Sequence, residues 1–196
     1  NPFNDANNIN GLAKDLDRKK ANTPDNGNLL DYQKKMVAKI VEELNPYSNL
    51  IYEIQNEPWA ENGEKIYRVV RTIDPDQGGW YKWADEANAA SKEWQKIIAQ
   101  TIVDTEAKLP NKHLIAQNYT NFTYSLSEVD PNISILNFHY VWPEAVWKNY
   151  GWELPVNFDE SGFYGKSDTT YLRQAWQFML AGGAIFNNLD YSFFVG

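Results

Sequence analysis

The chain has 196 residues, with 18 basic and 26 acidic side chains, for a formal net charge of −8. An acidic surface without basic clusters does not suit phosphate binding, so nucleic acid is excluded as a partner, and no long apolar run is present to cross a membrane. There are no cysteines, which removes disulfide scaffolds, thiolate zinc sites and thiol nucleophiles together, and only two histidines, His113 and His139. Aromatic residues are abundant, with 8 Trp, 12 Tyr and 9 Phe beside 22 Asn, in a chain whose mean hydropathy is −0.60. Rings with a polar handle and many amides suit a surface that stacks on sugars and hydrogen-bonds their hydroxyls.

No targeting pattern of basic then apolar residues opens the chain at Asn1–Asn10, so a leader is expected to have been removed or the chain to begin within a longer protein. No repeat, low-complexity tract or linker divides it, which predicts one domain over residues 1–196. The first helix is expected over 31–44, with Met36, Val37, Ile40, Val41 and Leu44 on one face and a stop at Asn45-Pro46. Leu50–Ile54 reads as a buried strand that breaks into Gln55, Asn56 and Glu57. A long loop carrying Trp59, Trp80 and Trp83 then leads to a helix at about 85–108, with Trp94, Ile97, Ile98 and Ile102 at helical spacing.

Strands follow at 113–118 and 133–138, then a Trp-rich loop with a short helix over 141–150, and a strand at 155–159. The last helix is capped near Ser167 and Asp168, keeps Leu172, Ala175, Trp176 and Met179 together, and stops at Gly182-Gly183 before a strand over 184–191. Strands alternating with helices predict an α/β fold with a parallel sheet. No glycine-rich phosphate loop follows any strand, so a nucleotide-binding open sheet is not supported. Polar groups follow the strands instead: Asn56-Glu57-Pro58, His139-Tyr140, Asp159-Glu160 and Asp190-Tyr191. Chemistry gathered at the C-terminal ends of strands is the pattern of a catalytic barrel face.

Glu57 and Glu160 lie 103 residues apart and each ends a strand, with two strand candidates between them. Across the mouth of a closed barrel, two facing carboxyls make glycoside hydrolysis possible, one as nucleophile and the other as proton donor. Asp159 competes with Glu160 for the second place, because strand alternation predicts that only one of the two points into the mouth. His113, at a strand start, and Trp94 and Trp176, at helical spacing with aliphatics, are expected to be structural.

Tyr52-Glu53-Ile54-Gln55-Asn56-Glu57-Pro58-Trp59 resembles the strand-4 acid/base motif of clan-A retaining glycoside hydrolases, the cellulase-like (β/α)8 group. Asn137-Phe138-His139-Tyr140 resembles that group's strand-6 motif, and Phe158-Asp159-Glu160-Ser161-Gly162-Phe163 its strand-7 nucleophile motif. The resemblance covers about residues 31–196. It implies a TIM barrel of which this chain is a C-terminal fragment holding strands 4 to 8, with Glu57 as general acid/base and Glu160 as nucleophile. Asn56 would hydrogen-bond the sugar 2-hydroxyl, and His139 or Tyr140 would bind substrate or orient Glu160. Trp59, Trp142 and Tyr191 are expected to line sugar subsites, Tyr191 standing where relatives carry a Trp platform.

Strands 1 to 3, and the strand-2 Arg that usually flanks the nucleophile, would then be absent. Val141 follows Tyr140 where many relatives carry His-x-Tyr. The implied activity is double-displacement hydrolysis of a poly- or oligosaccharide by a secreted or periplasmic enzyme, with carbohydrate as its partner and neither metal nor organic cofactor. The alternatives are a non-catalytic carbohydrate-binding protein on the same scaffold, a metal-dependent barrel enzyme such as a sugar isomerase, and a smaller α/β fold with its own closure.

Overall fold

The computed structural model describes residues 11–12, 16–69, 83–161 and 167–187. Over them the chain is a mixed α/β fold around one seven-stranded, mainly parallel sheet that is not closed. Helix α1 (Leu29–Leu44) ends where Pro46 can no longer donate an amide, and strand β1 (Ile51–Glu53) follows. A four-residue helix α2 (Trp59–Asn62) leads into β2 (Gly63–Arg68) and β3 (Trp83–Ala87), an antiparallel pair. Helix α3 (Ala89–Glu106) starts at Asn88, whose side chain accepts the Ser91 amide proton at 3.0 Å and so caps the helix. Then come β4 (Leu114–Asn121), β5 (Ile135–His139), α4 (Glu144–Asn149), β6 (Val156–Glu160), α5 (Asp168–Leu180) and β7 (Ile185–Phe186).

Five strands, β1, β4, β5, β6 and β7, lie parallel in the order in which the chain makes them. A doubly wound sheet reverses its order at a switch point, whereas this one winds in a single direction. β4 and β5 are buried almost throughout, as strands covered on both faces must be. The core joins Ile115, Leu136, Phe138, Val156 and Phe158 of the sheet to Trp94, Ile98 and Ile102 of α3 and Phe178 of α5. Trp94 Nε1 donates to Gln33 Oε1 at 3.0 Å, tying α3 to α1. At the opposite end of the strands from the mouth, Asn45 and Asn111 exchange three hydrogen bonds, and His113 pairs with Glu106 and donates from Nε2 to the Tyr47 carbonyl, the structural role expected for it.

Several expectations need correcting. The segment expected to be a loop before α3 contains a hairpin, so Trp83 is a strand residue, α3 begins at Ala89 rather than about 85, and Trp59 sits on α2, 8% exposed. The aromatic and charged residues of β2 and β3 carried no clean alternation, and pairing with each other and with β4 at Glu86↔Thr120 makes them strands. Trp176 is not core: it is 64% exposed, on a stripe of α5 with Leu172, Met179 and Leu180, while Phe178 turns inward. Likewise α1 buries Val41 but leaves Tyr32, Met36, Ile40 and Leu44 exposed along one side. The final strand is described at Ile185–Phe186; Trp80, Gly162, Phe163 and Tyr191 lie outside the described residues.

Candidate active site

Parallel strands present their C-terminal ends together, and here those ends carry Glu53 and Glu57 (β1), Asn118 and Asn121 (β4), His139 and Tyr140 (β5) and Asp159 and Glu160 (β6). Three of the residues just past these strands take a left-handed backbone without being glycine: Glu57 at φ 43°, Phe122 at φ 63° and Tyr140 at φ 52°. Such conformations cost about 1–3 kcal/mol each and persist where the surrounding structure over-determines them. At two of them the determinants are visible: the Phe122 amide donates to the His139 carbonyl at 2.8 Å, and the Tyr140 amide to the Glu160 carbonyl at 2.9 Å.

Both Asp159 and Glu160 face the site, against the expectation that alternation would admit one. The register of β5 against β6 slips after Phe138↔Phe158, so that His139 pairs with Glu160 and Asp159 is the extra residue of a bulge. His139 is wholly buried between them. Its Nδ1 lies 3.0 Å from Glu57 Oε1 and 3.5 Å from Glu160 Oε2, and its Nε2 lies 3.7 Å from Asp159 Oδ2. Burial alone would lower the imidazole pKa, but the Asp159, Glu57 and Glu160 carboxylates outweigh it and push it up to about 9. At neutral pH the ring is therefore an imidazolium with an N–H on each nitrogen.

Around this cation the carboxyls diverge. Burial pushes Glu57 up, yet the hydrogen bond and charge of His139 prevail and hold it below the ordinary carboxylate value. Asp159, also opposed by burial, is held at about 2 by His139 and Asn137. Glu53 moves the other way, to about 7, through partial desolvation of its carboxyl and the charge of Asp159, although the residue as a whole stays exposed. The Tyr140 hydroxyl donates to Glu160 Oε1, and burial together with that carboxylate drives the phenol far above its usual range, so it remains a donor. The edge of Trp59 meets the His139 ring at 5.6 Å between centroids.

Beneath the mouth lies an amide layer. Asn157 Nδ2 donates to Asn137 Oδ1 at 2.5 Å, and Asn137 Nδ2 in turn donates to Glu53 Oε1 at 3.1 Å and Asp159 Oδ2 at 2.9 Å. Glu53 and this layer escaped the sequence reading; the one signal was an Asn in each of three strands, Asn118, Asn137 and Asn157, which the register sets side by side. Outside the mouth an open cleft is bounded by Glu57, Trp59, Lys65, Asp85, Asn121 and Tyr140, with the hairpin as one wall. Asn56 is exposed and does not line this cleft, and Trp142 is half-buried, stacked on Phe122 at 5.6 Å. Of the residues expected to bind sugar, the structure thus gathers Trp59, His139 and Tyr140 around the carboxyls and sets Asn56 and Trp142 at the periphery.

Two groups offer donor atoms within 4.8 Å of one another, Glu53/His139/Asp159 and Glu57/His139/Glu160. Their chemistry does not favour a metal ion. Both groups use His139, whose ring nitrogens must lose protons to ligate, and the Asn137 amide directs its N–H groups into the space between Glu53 and Asp159 that a cation would take. Among the described residues no helix is long and apolar enough to cross a membrane. Searches against protein-family models, curated proteins and solved structures found nothing that matches this chain.

Proposed function

We propose that the chain is the catalytic part of a retaining glycoside hydrolase and that its five parallel strands are consecutive strands of a (β/α)8 barrel. The observation that carries the activity is the pair of strand-end carboxylates: an oxygen of Glu57 and an oxygen of Glu160 lie within 4.8 Å across the mouth, with the Tyr140 hydroxyl on the latter. Retaining glycosidases hold their carboxyls about 5–5.5 Å apart, whereas inverting ones leave about 6.5–9.5 Å for a water. Support for the barrel comes from the single winding direction of the sheet and from its flanks. β1 and β7 each pair on one side only among the described residues, and α1 and α5 each carry the exposed apolar stripe that further βα units would cover.

In this mechanism Glu160 attacks the anomeric carbon, and the glycosidic C–O bond breaks as the leaving oxygen takes a proton from Glu57. Because Glu57 is ionised at rest, that proton starts on His139 Nδ1 and passes through Glu57 Oε1, 3.0 Å away. Closing the ester removes the negative charge of Glu160, and the Tyr140 hydroxyl steadies that carboxylate until it reacts. A water then attacks the same carbon as its proton passes through Glu57 back to His139 Nδ1, freeing Glu160 and the sugar with net retention and restoring the resting charges.

A panel of 2-deoxy-2-fluoroglycosides with activated leaving groups tests the assignment: peptide mapping should find the sugar on Glu160. A label on Asp159, or inverted product by NMR, would overturn it. A second reading, a sugar-binding protein without activity, is favoured by the ionised state of Glu57; saturable glycan binding with no label on any carboxyl would select it.

A further inference from the structure

The mechanism above uses Glu57 and Glu160 and leaves a second acidic pair unused. Beside them, Glu53 of β1, an exposed residue, and Asp159 of β6 converge on the same Asn137 amide, which spends both of its N–H groups on them, and Asn118 Nδ2 adds a third bond to Glu53 Oε1 at 3.3 Å. The direction of the Asn137 amide is set by Asn157, which donates to its oxygen. Both carboxyls bring an oxygen within 4.8 Å of a His139 ring nitrogen and of each other. His139 Nε2, by contrast, has no hydrogen-bond partner, and Asp159 Oδ2 stands 3.7 Å from it. The ring is therefore held on that side by charge rather than by a directed bond.

We propose that Glu53 and Asp159 share one proton and together act as positioning residues for His139, keeping its protonated Nδ1 turned toward Glu57 and Glu160. This deepens the glycosidase reading and rests on it for its consequence in catalysis. The physical reason is charge counting. With all four carboxyls ionised, one imidazolium would face four negative charges in a partly desolvated space; one retained proton relieves the closest deep repulsion.

The geometry says which partner keeps the proton. Asp159 sits nearer the imidazolium and receives Asn137 and Asn157 N–H groups, all of which favour its ionised form. Glu53 lies on the outermost parallel strand of the described residues, where the charge of Asp159 opposes its ionisation more than the imidazolium of His139 favours it, and β4 contributes only the neutral Asn118. The raised value of Glu53, about 7, places the loss of the shared proton near neutrality. Once that proton leaves, the added negative charge draws the imidazolium toward Asp159 and away from Glu57. Proton delivery then fails although Glu57 and Glu160 are untouched, so Glu53 sets the alkaline limb of the rate.

Side-chain 15N and 13C NMR of the full chain, titrated from pH 5 to 10, reads the pair without any need for activity. The Glu53 carboxyl is expected to titrate near 7 and the His139 ring nitrogens to show a matching inflection, assigned by its absence in His139→Gln. In Glu53→Gln, a neutral mimic of the protonated acid, that inflection should vanish. At pH 8 this variant should retain about tenfold more of its plateau hydrolysis than wild type, the factor set by one ionisation a pH unit below. A Glu53 carboxyl that titrates in the ordinary range in the unmodified chain, or a Glu53→Gln profile that superimposes on wild type, would overturn the proposal. If the inflection is present but no glycoside is hydrolysed, the proton pair stands and the glycosidase reading falls.

Discussion

Replacing His139 by Gln removes the one cation among Glu57, Asp159 and Glu160 while leaving a buried polar side chain of similar reach. The stability at stake follows from linkage. Folding carries the imidazole from its ordinary 6.5 to about 9, and at about 1.4 kcal/mol per pH unit that is about 3 kcal/mol. Because the value is raised, the folded state holds the proton more tightly; the contribution is complete below pH 6.5 and is lost as pH climbs through 9. Glu53 releases its proton at about 7, at the low end of this window, and His113, also raised by its bond to Glu106, is present in both proteins and cancels. Urea unfolding of wild type and His139→Gln at half-unit steps from pH 6 to 9.5 gives the comparison. The stability gap between them should narrow by about 3 kcal/mol across that range. Parallel curves would refute the charged ring and, with it, the account of where the proton for the leaving group resides.

Two further outcomes follow. Tyr140→Phe keeps the ring in its cluster with Phe122 and Ala84 but deletes the donor to Glu160; a hydrogen bond to a charged group is worth about 1.5–3 kcal/mol, so kcat/KM on an aryl glycoside should fall roughly ten- to hundredfold with little change in unfolding midpoint. On α5, Phe178→Ala should cost about 3–5 kcal/mol, because Phe178 is 1% exposed against Phe158, whereas Trp176→Ser, two residues away and 64% exposed, should stay within about 0.5 kcal/mol in urea titration; equal losses would contradict the orientation of the helix.

How far local pattern reaches is clearest on β5 and β6. The apolar run 133–138 and the pair His139-Tyr140 mark a buried strand ending in chemistry, and hydrophobicity with a polar break is a signal that each segment carries alone. Period-2 alternation likewise predicts that Asp159 and Glu160 oppose each other. That inference fails because register belongs to a pair of strands: the slip opposite His139 exists only when β6 meets β5, and it turns both carboxyls to one side. Helices α1 and α5 show the same division. Their periodicity predicts a helix in each case, but which apolar residues are covered depends on neighbours, so Trp176 and Met36 lie open while Phe178 and Val41 are buried.

By itself, then, the sequence determined the alternation of helices and strands, the parallel sheet and the strand-end placement of Glu57 and Glu160, since each rests on spacing and composition within a few residues. Tertiary structure alone decided that Glu53 and Asp159 join them, that the hairpin walls the cleft, and that one buried histidine sits among the carboxyls. Those features depend on distances between segments as many as 106 residues apart, as Glu53 and Asp159 are. A charge responds to what surrounds it in space, and no local pattern records that.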